Sequence, residues 1–183
     1  SLLNSWKESP LVSEWCQGRA AKNIELSEYE RQRHPYEPGY LFDAGIQPMS
    51  DYPISGVIWY QGESNAEMPE LHSSYFVQMV KSWRKVFHQK DLPFLYAQLT
   101  SMNRPAWPQF RFSQLLLENK LPNLGMVVIS DLGKYNNVHP INKRDVGYRF
   151  ARKALDQVYG YNVASCSPSL GRITQEANSI VLY

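Results

Sequence analysis

Apolar residues along this chain gather into three short runs, and helical spacing follows each one. The first run, 56–60, carries Val57, Ile58, Trp59 and Tyr60 and stops at Gln61. A run that is apolar on both faces predicts a buried parallel strand. Over 71–87 the apolar positions are 76, 79, 80, 83, 86 and 87. Steps of three and four predict an amphipathic helix. The second run covers 93–99, and a second helix is predicted over 110–119, ending near Pro122. The third run, 125–130, stops at Asp131. A third helix is predicted over 142–159, with Val146, Phe150, Ala154, Leu155 and Val158 on one side and Gly160 as its terminator.

Strand and helix alternating three times predict an α/β fold, a parallel sheet with helices packed on it. Crossovers in such sheets are right-handed. Residues 1–50 are the least regular part. A short helix is expected over 11–21, then a charged stretch over 25–33. His34, Pro35, Tyr36, Glu37, Pro38 and Gly39 then force extended or turning backbone, read as a surface excursion. Residues 165–168 are turn-like, and a strand begins near Ile180.

Composition narrows the classes. At roughly 150 residues per domain, 183 residues predict one domain with at most a small appendage. Nineteen Lys and Arg against seventeen Asp and Glu leave a formal charge of +2, without the basic excess a dedicated nucleic-acid binder needs. Apolar residues at 43% and charged residues at 20% describe a globular chain rather than a disordered one. The 13% aromatic content hints at carbohydrate or small-molecule binding, although large aromatics also build cores. No apolar stretch approaches the ~20 residues of a membrane span, so no membrane partner is expected. Cys16 and Cys166 are read as unpaired thiols, and no spacing suggests a metal site.

In open parallel sheets, ligands bind beyond the carboxyl ends of the strands. Here those ends carry Gln61, Gly62, Glu63, Ser64 and Asn65; then Gln98, Thr100, Ser101 and Asn103; then Asp131 and the loop to His139 and Pro140. His139, in a loop ahead of a helix, is the candidate general base; a loop histidine bonded to nearby backbone is the alternative. A glycine directly after a strand lets backbone approach a ligand, and a neighbouring amide can donate to an oxyanion. Gln61 and Gly62 are therefore the candidate oxyanion region. The alternative is a plain turn in which Glu63 pairs with a basic residue. Asp131, eight residues before His139, is the candidate acid that orients it; otherwise it caps a turn or pairs with Lys134 or Lys143. No nucleophile elbow is present. Ser64 is suitably placed, but nothing beside it marks it as activated. His72 and His88, at the two ends of one helix, are read as solvated.

The stretch 56–66 resembles the signature of the sialate O-acetylesterase family within the SGNH-hydrolase superfamily. Further matches are Pro38 to Pro48, Tyr75 and Phe76 with Trp83 and Arg84, and Pro93 and Phe94 with Gln98 and Leu99. Trp107, Arg111 and Gln114 follow, then His139 and Pro140 with Asn142, Lys143, Val146, Gly147 and Arg149. The resemblance covers 36–160. It implies a three-layer α/β/α sandwich, flavodoxin-like, and a serine-type hydrolase that removes acetyl groups from sugars without metal or cofactor. A secreted, periplasmic or lysosomal-type compartment is also implied. His139 inherits the base role, and Gln61 and Gly62 the oxyanion region. Glu63, Arg111 and Asn65 are supporting residues, with a buried Glu63–Arg111 pair expected because a lone buried charge is costly.

The family's serine lies on a first strand upstream of everything in this chain. The partial hydrolase domain is therefore expected to span 1–163, lacking that strand, and 164–183 to be a linker and the start of a β-sandwich segment. Many superfamily members place an aspartate three residues before the histidine, where this chain has Asn136; Asp131 or a backbone carbonyl would then orient the ring. The expected partners are an O-acetylated sugar and the missing amino-terminal segment, with self-association through the uncovered sheet. Two other readings stay open: a non-catalytic carbohydrate-binding or interaction module, and an acetylxylan esterase.

Overall fold

Three parallel strands form the centre of the structure, a computed structural model: β1 (Val57–Trp59), β2 (Phe94–Gln98) and β3 (Leu124–Val128), in the order β1-β2-β3. It describes residues 9–10, 12–25, 35, 37–134, 136–137, 139, 141–168 and 170–182. His34, Pro140 and the whole charged stretch after Glu25 lie outside the described residues. The chain forms two compact units, Ser1–Pro53 and Ile54–Tyr183, dividing where the apolar pattern changes.

In the first unit, α1 (Glu14–Glu25) begins three residues later than the sequence predicts. Ser13 explains the start, because its hydroxyl accepts from the Cys16 amide at 3.4 Å. A π-turn over Phe42–Ile46 and a 3-10 turn over Gln47–Met49 follow, the latter opened by Pro48.

In the second unit, α2 (Pro69–Val86) and α3 (Trp107–Leu117) each carry proline in the first turn, where its missing N–H costs nothing. Both pack on one face of the sheet. Phe76 meets Tyr96 at 5.1 Å, and Trp83 meets Phe94 at 5.8 Å and Trp59 at 6.0 Å. On the opposite face, Val146 and Phe150 of α4 (Lys143–Gln157) cover Leu95, Ala97, Val127 and Ile129. The result is the expected three-layer α/β/α arrangement. Arg84, buried at the end of α2, donates to the carbonyls of Leu92 and Pro122 and ties together the loops entering β2 and β3.

β2 is buried throughout, as a central strand should be. β1 is not: Ile58 is 64% exposed, although its run is as apolar as that of β2. The reason is position. β1 ends the strand order, and α4 packs on β2 and β3, so among the described residues nothing covers Ile58. A further difference lies after α4. The strand beginning near Ile180 is β5 (Ser179–Leu182), and it pairs antiparallel with β4 (Ile173–Glu176). The polar Thr174, Gln175 and Glu176 hide β4 from an apolar-run reading. Among the described residues, no helix is long and apolar enough to cross a membrane.

Candidate active site

The loops after the three strands converge at one edge of the sheet. After β1 the chain runs through Tyr60 and Gln61 to Gly62, which takes φ +147°. A side chain there would be strained, and its Cβ would lie 3.0 Å from the Phe110 ring, so only glycine fits. A 3-10 turn over Glu63–Asn65 follows, closed by the Asn65 amide on the Gly62 carbonyl at 2.9 Å.

Glu63 folds back on this turn, and its carboxylate accepts the Gly62 N–H at 3.0 Å. The expected Glu63–Arg111 pair does not form. Arg111 donates instead to the Gln98 side-chain oxygen at 3.2 Å, while the Gln98 amide donates to the Arg111 carbonyl at 2.9 Å. This reciprocal clasp holds α3 to the end of β2, and burial alone lowers the Arg111 pKa. Gln61 and Ser64 are both exposed, and neither side chain has a hydrogen-bond partner among the described residues.

β2 ends against α3. The Gln114 side chain accepts from the Leu99 amide at 2.9 Å and donates to the Ala97 carbonyl at 3.2 Å. The Trp107 indole donates to the Thr100 carbonyl at 2.6 Å. The tryptophan and the glutamine of the α3 motif thus have a structural role, since they satisfy backbone groups that the sheet ladder leaves open.

After β3, Asp131 receives both terminal nitrogens of Arg149 at 2.6 Å, and Arg149 also donates to the Val128 carbonyl at 2.8 Å. Arg149 holds the Asp131 pKa below its ordinary value. Sequence spacing points to His139, Lys134 or Lys143 as the Asp131 partner; the structure supplies Arg149, eighteen residues on. The pair faces a cleft of about 920 Å³ along the outer edge of β3, lined also by Tyr148, Arg152 and Ser165.

His139 is exposed, and its backbone amide is held by the Asn137 side-chain oxygen at 2.8 Å. The helix after it is capped by Asn142, which accepts from the Asp145 amide at 3.2 Å. Lys143, the first residue of α4, then lays its ammonium 4.7 Å from the centre of the Tyr60 ring. The start of α4, four residues after His139, is thereby brought to Tyr60, the neighbour of Gln61. Burial first, and the charge of Glu63 second, push the Tyr60 hydroxyl up to about 12.

His72 departs from expectation. It is 5% exposed rather than solvated. Its ring lies 4.7 Å from that of Phe110, and its Nδ1 faces the Asn65 amide nitrogen at 3.1 Å. Burial drives its pKa down to about 4. A signal was present: 72, 76 and 80 continue the same four-residue steps. His88, at the other end of α2, is exposed as expected.

Comparison with known proteins matches this architecture. The structure aligns with the crystal structure of a carbohydrate acetylesterase from Xanthomonas citri with a TM-score of 0.71. Identity is 33%, over 87% of this chain and 38% of that one. The class is therefore that of α/β/α-layered carbohydrate esterases of the SGNH fold. A family profile, carbohydrate esterase, sialic acid-specific acetylesterase, matches residues 19–156. Sialate O-acetylesterase of Homo sapiens is 28% identical over 87% of this chain, and that of Mus musculus 32% over 69%. The chain belongs to the sialic acid-specific acetylesterase family of carbohydrate esterases. It spans 35% of the length of the human relative and 27% of the mouse one.

Proposed function

We propose that the protein is a serine-type carbohydrate O-acetylesterase, acting on sialic acids or related sugars, and that this chain is the carboxyl-terminal part of its hydrolase domain. The observation that carries the reading is the approach of Lys143, four residues after His139, to Tyr60, the neighbour of Gln61 in the turn read as the oxyanion region. The nucleophile is assigned to a serine on an amino-terminal segment outside this sequence. Two features support that assignment: the Ser64 hydroxyl has no hydrogen-bond partner among the described residues, and bare Ile58 marks the side of β1 where a further strand and its helix would sit.

In this reading the serine Oγ attacks the acetyl carbonyl while His139 takes its proton. The tetrahedral oxyanion forms against the Gln61–Gly62 turn. Since the Gly62 N–H is already bound to Glu63, the Gln61 amide is the donor available without rearrangement. Collapse releases the sugar hydroxyl, protonated by His139, and water then frees acetate from the serine. Glu63 and Asn65 hold the turn, and Arg111 holds α3. Asp131 is placed in a supporting role through Arg149, and a backbone carbonyl is left to orient the imidazole. The hairpin β4–β5 is read as the start of a further β module after 163.

The test is acetate release from O-acetylated sialic acid and from acetylated xylan. The complete protein is expected to release acetate from the former, whereas this chain alone hydrolyses p-nitrophenyl acetate no faster than buffer. Enzyme-like turnover by this chain alone, with a nucleophile trapped inside it, overturns the serine assignment. An inactive complete protein favours a non-catalytic sugar-binding module.

A further inference from the structure

The strand-end segment that carries Gln61 is held by one short 3-10 turn, Glu63–Asn65. β1 ends at Trp59 and α2 begins at Pro69. Between them, the turn over 62–65 rests on a platform from two helices: the Phe110 ring of α3 beneath Gly62, and His72 of α2 beside it. His72 offers the one side-chain hydrogen bond that crosses from α2 to the turn among the described residues, Nδ1 to the Asn65 amide nitrogen at 3.1 Å.

An amide NH₂ only donates, so Nδ1 must be unprotonated and the ring proton must sit on Nε2. The surroundings favour that state. The ring is buried against Phe110 and Phe76. Titratable groups on the elements around it are Glu63 on the turn, Tyr96 on β2, Arg111 on α3 and the exposed Glu70 on α2. None moves its charge; desolvation alone does.

We propose that His72 is a positioning residue whose unprotonated Nδ1 fixes the Asn65 amide, and that this bond sets the Gly62–Asn65 turn and hence the presentation of Gln61. The proposal rests on the esterase reading for its kinetic consequence, but not for its structural one. Because His72 stands outside the turn, it acts on the reaction through the turn residues it touches, Asn65 first.

Two variants and one spectroscopic measurement test it in the complete protein. His72→Phe keeps a ring on Phe110 and removes the acceptor. His72→Asn returns an oxygen close to the place of Nδ1. With p-nitrophenyl acetate at pH 7, His72→Phe is expected to lower kcat about tenfold with KM within about twofold, the pattern of a misplaced transition-state contact. His72→Asn is expected to recover most of that loss. Unchanged kcat in His72→Phe, or equal loss in both variants, overturns the assignment. Nitrogen-15 NMR of the wild-type histidines reads the tautomer directly, whether or not the variants fold. His72 is expected to show an unprotonated Nδ1 and a protonated Nε2 at pH 7. A protonated Nδ1 overturns the proposal. If the wild type hydrolyses no acetyl ester, the esterase reading fails, and the NMR result still decides the role of His72.

Discussion

Arg149 grips Asp131 with both terminal nitrogens, each 2.6 Å from a carboxylate oxygen, and reaches on to the Val128 carbonyl. One side chain thus joins α4 to the end of β3 and satisfies an edge carbonyl that no strand takes up among the described residues. A carboxylate held in this two-point geometry is strongly directed, and its direction here is toward α4 rather than toward the His139 ring.

Asp131→Asn is therefore expected to lower stability by about 1 kcal/mol or less, because the Asp131 side chain is 60% exposed to solvent. In the complete protein kcat should fall less than about tenfold, against the roughly 10⁴-fold loss seen when a triad acid is removed. Urea unfolding and steady-state kinetics of the variant check both. A loss of a thousandfold or more would make Asp131 the acid partner of His139.

His72 makes a pH prediction with a definite sign. Its folded pKa of about 4 lies below the ordinary histidine value of 6.5, so the unfolded chain binds the proton more readily. The His72 contribution to stability is therefore expected to fall as pH drops from 6.5 toward 4 and to level off below. The full span is roughly 3 kcal/mol, at ~1.4 kcal/mol per pH unit. Urea unfolding of wild type and His72→Phe at about pH 7 and about pH 4.5, on either side of most of that span, measures it. The wild type should lose the extra stability on acidification, and the variant should not.

Gly62→Ala is expected to cost about 1–3 kcal/mol, since φ +147° is closed to side chains and the new Cβ meets Phe110 at 3.0 Å. Thermal unfolding reads the loss. The neighbouring Gln61→Ala should leave stability within about 0.5 kcal/mol, because Gln61 is exposed.

Ile58 and Leu95 occupy paired positions on adjacent strands, yet they should respond oppositely in this chain. Leu95→Ala, in the core under α4, is expected to cost about 2–5 kcal/mol. Ile58→Ser, at a bare position, should change stability by about 0.5 kcal/mol or less. If Ile58 is covered by self-association, its substitution should instead shift the oligomer to monomer in size-exclusion chromatography.

Periodicity and apolar runs make the three layers legible, because helices and central strands answer to the same burial that shapes the sequence pattern. They do not distinguish a central strand from an uncovered one: β1 and β2 carry similar runs and differ in what lies over them. Hydrogen-bond partners are less legible still. Asp131 has lysines nearby in sequence, but its partner is brought from α4 by the packing of Val146 and Phe150. His72 looks solvated by residue type, and only its spacing from Phe76 and Val80 reveals the buried face. The hairpin strand β4 is hidden because Gln175 and Glu176 carry no apolar signal.

The central claim is that the His139 loop carries the base of an acetyl-ester hydrolase. Its most direct test is kcat of the complete protein on an acetyl ester with His139→Ala. A loss of about 10³-fold or more with unchanged thermal stability is expected, since His139 is exposed and its ring holds no partner among the described residues. Retention of wild-type kcat would contradict it.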